Sequence, residues 1–147
     1  MKVGCTGTRN ALNQVQLDKI KLVLARIADH STKPLELHHG DCVGADAQIA
    51  EIAKLCGFKL VVHPPVKSDL RAFHQGEESR PPLSYFARNR NIVNETEILI
   101  VAPKDDQWQP QGGTWYTHDY AVKQKKPVII FYPRGVVSCP AIDSPPV

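Results

Sequence analysis

Five short apolar runs recur along the chain, each followed by a glycine or proline turn and a longer segment. They read "KVGCTG", "PLELHHG", "FKLVVHPP", "EILIVAP" and "PVIIFYP". Each is too short and too uniformly apolar for a surface helix, and is the right length for a strand buried on both faces. The segment "NQVQLDKIKLVLARIADH" places Val15, Leu17, Ile20, Val23, Leu24 and Ile27 close to a 3.6-residue period, with Asn13 as N-cap. In "GADAQIAEIAKLCG" the apolar side is Ala47, Ile49, Ala50, Ile52, Ala53 and Leu55, and Gly57 is the stop. "LSYFARNRNIVNET" and the stretch from Thr114 read as a third and a fourth helix. Such β-α alternation predicts one doubly wound α/β domain, with a mostly parallel sheet of about five strands flanked by helices.

The 147 residues suffice for a single core. We place the domain at residues 1–133 and a loosely packed, Pro- and Ser-rich tail at 134–147. Residues 64–82 are polar and aperiodic, which predicts a mobile loop or a lid over a site. The net charge of +3 accommodates an anionic small ligand but is not the basic stripe of a nucleic-acid binder. No stretch has transmembrane length, and the start is not a signal peptide, so a cytoplasmic protein without membrane attachment is expected. Cys5, Cys42, Cys56 and Cys139 are unclustered and are read as free thiols. A metal site from Cys5, Cys42 and His38 or His39 lacks the usual ligand spacing, so neither metal nor cofactor is expected.

In a sheet of this kind ligands bind beyond the carboxyl ends of the strands, and four such ends carry suggestive residues. Gly4 to Asn10 offers small residues for close backbone approach, with Gly7, Thr8 and Arg9 as candidate contacts. His39 to Asp46 brackets Asp41 and Asp46 between Gly40 and Gly44; one acid suffices to cap a helix, leaving the other for a sugar hydroxyl or for base chemistry. Arg88-Asn89-Arg90-Asn91 is either an ion-paired solvated face or an arginine fork for phosphate. Gly112-Gly113-Thr114 opens a helix whose free N–H groups favour phosphate, and Trp115 is a candidate wall for a base.

Together these stretches resemble the SLOG superfamily of Rossmann-like proteins, which includes the lonely-guy phosphoribohydrolases and DNA-processing proteins of the DprA/Smf type. The resemblance covers most of residues 1–133 and rests on "GCTGTR" from Gly4, "HGDCVGAD" from His39, "HPP" from His63, "RNRNIV" from Arg88, "GTWYTHDYA" from Gly113 and "KPV" from Lys126. It implies a nucleotide-like small-molecule ligand and a homo-oligomer, commonly a dimer. It also implies that Arg88 stands at the catalytic arginine's position and Gly112-Gly113-Thr114 at the phosphate turn. The family's catalytic glutamate falls at Thr117, and "KDDQWQPQ" interrupts the chain after Pro103.

Cleavage of an N-glycosidic bond needs a carboxylate near the oxocarbenium-like centre. Asp119 points about 200° around the helix from Thr117, so a relocated acid would have to be Asp41, Asp46, Glu77 or Glu78. The favoured expectation is a binder of a nucleotide or nucleotide-derived ligand, acting as sensor, carrier or sequestering protein. The alternatives are a nucleotide N-glycosidase or related transferase using Arg88 with Asp41 or Asp46, and a DNA-processing accessory or structural module. Arg88 is assigned to phosphate, so Arg88→Ala is expected to abolish binding with the fold intact.

Overall fold

Every apolar run anticipated from the sequence pairs into one sheet. The computed structural model describes residues 1–110 and 112–139. Its strands are β1 (Lys2–Gly7), β2 (Glu36–His39), β3 (Lys59–Val62), β4 (Glu78–Ser79), β5 (Ile98–Ala102), β6 (Val128–Phe131) and β7 (Val137–Ser138). In space they run β4-β3-β2-β1-β5-β6-β7. All neighbours are parallel except β6 and β7. The sheet thus has seven strands where about five are expected. The two additions are two-residue edge strands, too short to leave a periodicity in the sequence.

Four helices cover it: α1 (Gln14–His30), α2 (Ala45–Leu55), α3 (Tyr85–Glu95) and α4 (Gly113–Lys123). Asn13 caps α1 in a reciprocal box with Gln16, each side chain accepting from the other's backbone N–H. Gln16 also donates to the carbonyls of Pro103 and Phe131, tying α1 to the carboxyl ends of β5 and β6. Along β5 the side chains alternate between two cores. Ile100 and Ala102 pack with α1 and α2, while Leu99 and Val101 pack with α3 and α4. That division is why β5 is apolar throughout. The chain steps outward from β1 through β2 to β3, then returns to β5 on the other side of β1. The switch point therefore lies between β1 and β5.

Residues 64–82, expected as a lid, are laid along the β3 edge and over the β2–α2 turn. Asp41, fully buried at φ 58°, accepts from Arg71 Nε at 2.9 Å and from the His74 backbone N–H at 2.8 Å. Val43 N–H donates to Leu70 O and Ala72 N–H to Asp41 O. β4 completes the docking, with Arg80 N–H donating to Val62 O. A polar segment without periodicity is stitched down here by hydrogen bonds, which a hydrophobic pattern does not report. Of the expected tail, β7 joins the sheet, and residues 140–147 lie outside the described residues. Among the described residues no helix is long and apolar enough to cross a membrane.

Three imidazoles, His38, His39 and His63, are buried in this scaffold. His39 Nδ1 accepts from Asp41 N–H at 3.0 Å, and its Nε2 has no hydrogen-bond partner. Burial lowers the His39 pKa to about 4. The unfolded chain then binds a proton that the folded chain refuses, so this contribution is intact above about pH 6.5 and is lost as pH falls toward the folded pKa. By pH 5.0 His39 alone removes about 2 kcal/mol. Denaturant titrations at pH 7.5 and 5.0 should show that loss, and it should shrink in His39→Gln; an unchanged loss in the variant would contradict the assignment.

Candidate functional site

A cleft of about 500 Å³ opens where β1 ends, at the switch point. Residues Cys5 to Asn10 of β1 and its turn form one wall, joined by Cys42 and Asp46 from the β2–α2 turn. The amino-terminal two-thirds of α3 and the start of α4 form the other, through Tyr85, Phe86, Arg88, Asn89 and Ile92 and through Gly112, Gly113 and Thr114.

The α4 end carries the plainest anion chemistry. Gly112 is its N-cap at φ 96°, and among the described residues no side chain caps the helix. The first-turn N–H groups and the positive end of the helix dipole are thus presented to the cleft without a protein acceptor from a capping side chain. The β1 turn is less generous than its composition suggests. Thr8 N–H is taken by Ala102 O, and Asn10 N–H by Thr8 Oγ1. The donor this turn offers is the exposed Arg9 guanidinium, which stands 5.5 Å from the Tyr85 ring.

Arg88 also stands 5.5 Å from that ring, on the buried side. Its Nη1 donates to Gly40 O and, at 3.1 Å, to His63 O. Nε donates to Asn89 Oδ1 at 2.6 Å, and Nη2 to Cys42 Sγ at 3.6 Å. Gly40 makes room for this group: a Cβ there would lie 2.4 Å from Nη1. None of these acceptors is an anion. Among the described residues the arginine salt bridges belong to Arg71, Arg80 and Arg134, so Arg9 and Arg88 leave their charge uncompensated by direct pairing.

Asp46 is the carboxylate of the lining, and it is committed to the fold. Its Oδ2 accepts from the N–H groups of Gly40 at 3.1 Å and Cys42 at 3.2 Å, and Oδ1 from the Cys5 thiol at 3.9 Å. Burial raises its pKa against the opposing pull of Arg88 and the two backbone donors. Burial likewise raises the thiols of Cys5 and Cys42, keeping both as neutral SH groups.

Of the residues singled out in the sequence, Gly7, Thr8, Arg9, Asp46, Arg88, Gly112, Gly113 and Thr114 meet at the cleft. Gly40, Asp41, Gly44, Trp115 and Thr117 stand behind it. Asp41 turns to Arg71 and His74, away from any sugar position beside Arg9. Gly44, at φ 89°, begins α2 so close to the first turn that a Cβ would lie 2.5 Å from Arg9 carbonyl atoms; its role is packing. Trp115 is buried in the α3–α4 core, with Tyr132 6.4 Å away between ring centroids. Thr117 is buried, and its hydroxyl donates to Gly113 O at 2.6 Å. Glu77 and Glu78 are engaged with Leu60 N–H and with Lys59 and Arg80.

Trp115 is the aromatic wall expected from the sequence, but the aromatic residues at the cleft are Tyr85 and Phe86. Their signal was position: "YF" opens the helix that carries Arg88, so it must share the sheet edge with it. Phe86 is 50% exposed and packs on Tyr116 at 4.4 Å between centroids, leaving an accessible aromatic ledge.

The hydrogen bonds of Arg88 give Arg88→Ala an expected cost to the fold as well. The truncation strands the carbonyls of Gly40 and His63 in a buried place, so the variant should lose about 3 kcal/mol of stability. Urea unfolding measures this directly; a loss below about 1 kcal/mol would show that the guanidinium is not a strut.

No family model matches the chain, and no curated protein does. Solved structures do. The molybdenum cofactor binding protein of the phototrophic bacterium Rippkaea orientalis superposes at TM-score 0.65 and 20% identity, covering 88% of this chain and 74% of that one. The Moco carrier protein of Chlamydomonas reinhardtii gives 0.63 and 21%, again over 88% and 74%. DNA processing protein A of Streptococcus pneumoniae gives 0.63 and 18%, over 88% of this chain and 49% of that one, so this chain spans about half its length. The chain has the Rossmann-like α/β fold that these proteins share.

Proposed function

We propose that the protein binds a nucleotide or nucleotide-derived ligand in this cleft and releases it unchanged, as a carrier, sensor or sequestering protein. The observation that carries the reading is a charge imbalance. Arg9, Arg88 and the uncapped start of α4 converge on a cleft whose carboxylate, Asp46, already has its oxygens occupied. Such a site attracts an anion and has no free base to activate water. Its volume, about 500 Å³, suits a ligand of nucleotide size.

In this reading the phosphate lies against Gly112-Gly113-Thr114 and is gripped by Arg9, with Arg88 supplying field from the floor. The sugar lies along Gly7 and Thr8, and the planar ring lies on the Tyr85–Phe86 ledge. Thr117 cannot replace the glutamate of the resembling hydrolases, because its hydroxyl is turned back onto Gly113 O. Two neighbours in fold are themselves molybdenum cofactor binding or carrier proteins, which favours holding over cutting.

Calorimetry with a panel of nucleoside monophosphates tests the reading. Arg9→Ala should weaken binding at least about 10-fold, the scale of a lost charge-assisted contact, with thermal stability unchanged. Equal affinity in that variant would remove Arg9 from the site. Chromatography of the same mixtures should show no free base, whereas base release that vanishes in Asp46→Asn would make the protein an N-glycosidase.

A further inference from the structure

Away from the cleft, a second group of ligand-type side chains lies between β2, β3 and the end of α3. His38, His63 and Glu95 each bring one donor atom to within 4.8 Å of the other two. The sequence hides this, because the three residues come from three elements with no short spacing. The imidazoles are 1% and 2% exposed and face one another, His38 Nδ1 standing 2.9 Å from His63 Nε2. Their ring centroids are 5.1 Å apart.

Each ligand is braced from behind. His38 Nε2 lies 2.9 Å from Glu36 Oε1, which fixes that nitrogen as the N–H and leaves Nδ1 as the lone pair. Glu95 Oε1 receives Arg80 Nε at 3.0 Å and Nη2 at 2.9 Å, while Oε2 faces His63 Nδ1 at 3.7 Å. The His63 backbone is pinned on both sides, its N–H donating to His39 O and its carbonyl accepting from Arg88.

We propose that His38, His63 and Glu95 form a binding site for a divalent cation of the zinc class, in which the His63 ring turns so that one of its nitrogens shares the ion with His38 Nδ1 and Glu95 Oε2. The spacing suits it. Zinc held at about 2.0–2.1 Å by two imidazoles at a tetrahedral angle sets their nitrogens about 3.3 Å and their centroids about 5 Å apart. The rings already have that centroid separation, so binding requires them to tilt and not to part. Glu36 and Glu95 stand beside the two rings as carboxylates, Glu95 being shared with Arg80. Both carboxylates open on a depression of about 450 Å³ at the amino-terminal side of the sheet, which is the ion's way in. Three protein ligands leave a fourth position for water.

The test uses the full chain stripped with a chelator and titrated with zinc chloride against a chromogenic competitor. One equivalent should bind. His63→Ala should lower the affinity at least about 100-fold, and the partly exposed Glu95→Gln and Glu36→Gln about 10–100-fold, with circular dichroism unchanged in the two glutamate variants. His30→Ala, at an exposed histidine of α1, should bind as the parent does. Cobalt in place of zinc should give the visible absorption of a four-coordinate site, lost in Glu95→Gln. A parent protein that takes up no stoichiometric zinc would overturn the proposal, and so would equal affinity in the parent and Glu95→Gln.

Discussion

The Arg88 guanidinium joins three parts of the structure that would otherwise have no reason to stay in register. It binds the carbonyl that follows β2, at Gly40, and the one that follows β3, at His63, while its own helix α3 crosses above them. Two parallel strand ends and a helix are thereby fixed around one buried charge. Removing water from a guanidinium is expensive, and several hydrogen bonds to carbonyl dipoles are needed to hold it there. The same arrangement explains Gly40, since any side chain at that position would occupy the space of Nη1.

A strut of this kind has an electrostatic consequence. Because its partners are neutral, the charge of Arg88 is left at the floor of the cleft, close enough to Asp46 to oppose the rise in that carboxyl's pKa. Arg9 adds a second charge at the rim without an ion-pair partner among the described residues, and each guanidinium stands 5.5 Å from the Tyr85 ring centroid. The start of α4 contributes from the opposite wall. In the proposed reading, structural demand and ligand attraction therefore coincide in the same side chain, and a substitution at Arg88 alters both. Arg9, exposed and free of hydrogen-bond duty to the fold, is the position at which the two can be separated.

Much of this was legible in the sequence, for identifiable reasons. The five principal strands announce themselves because both faces of the sheet are covered, so apolar residues dominate them, β2 with its two histidines excepted. The start of α1 was legible because Asn13 and Gln16 form a local box. What failed to show was anything set by contacts distant along the chain. Asp41 read as a site acid, yet its partners Arg71 and His74 lie about thirty residues away. Residues 64–82 read as a lid because hydrogen bonds, not apolar periodicity, hold them down. Trp115 was preferred to Tyr85 and Phe86 as the aromatic wall because aromatic size is visible in a sequence and the direction of a side chain is not. The histidine and glutamate cluster escaped for the same reason, its members coming from β2, the end of β3 and α3.

The central claim is that the cleft holds a phosphorylated, nucleotide-like ligand without breaking it. Mass spectrometry of the small molecules released on denaturing freshly purified protein tests this most directly, when paired with timed incubation of the native protein with the molecule found. The account predicts an intact nucleotide-type mass, recovered unchanged after incubation. Recovery of free base with ribose phosphate, or of no phosphorylated molecule at all, would contradict it.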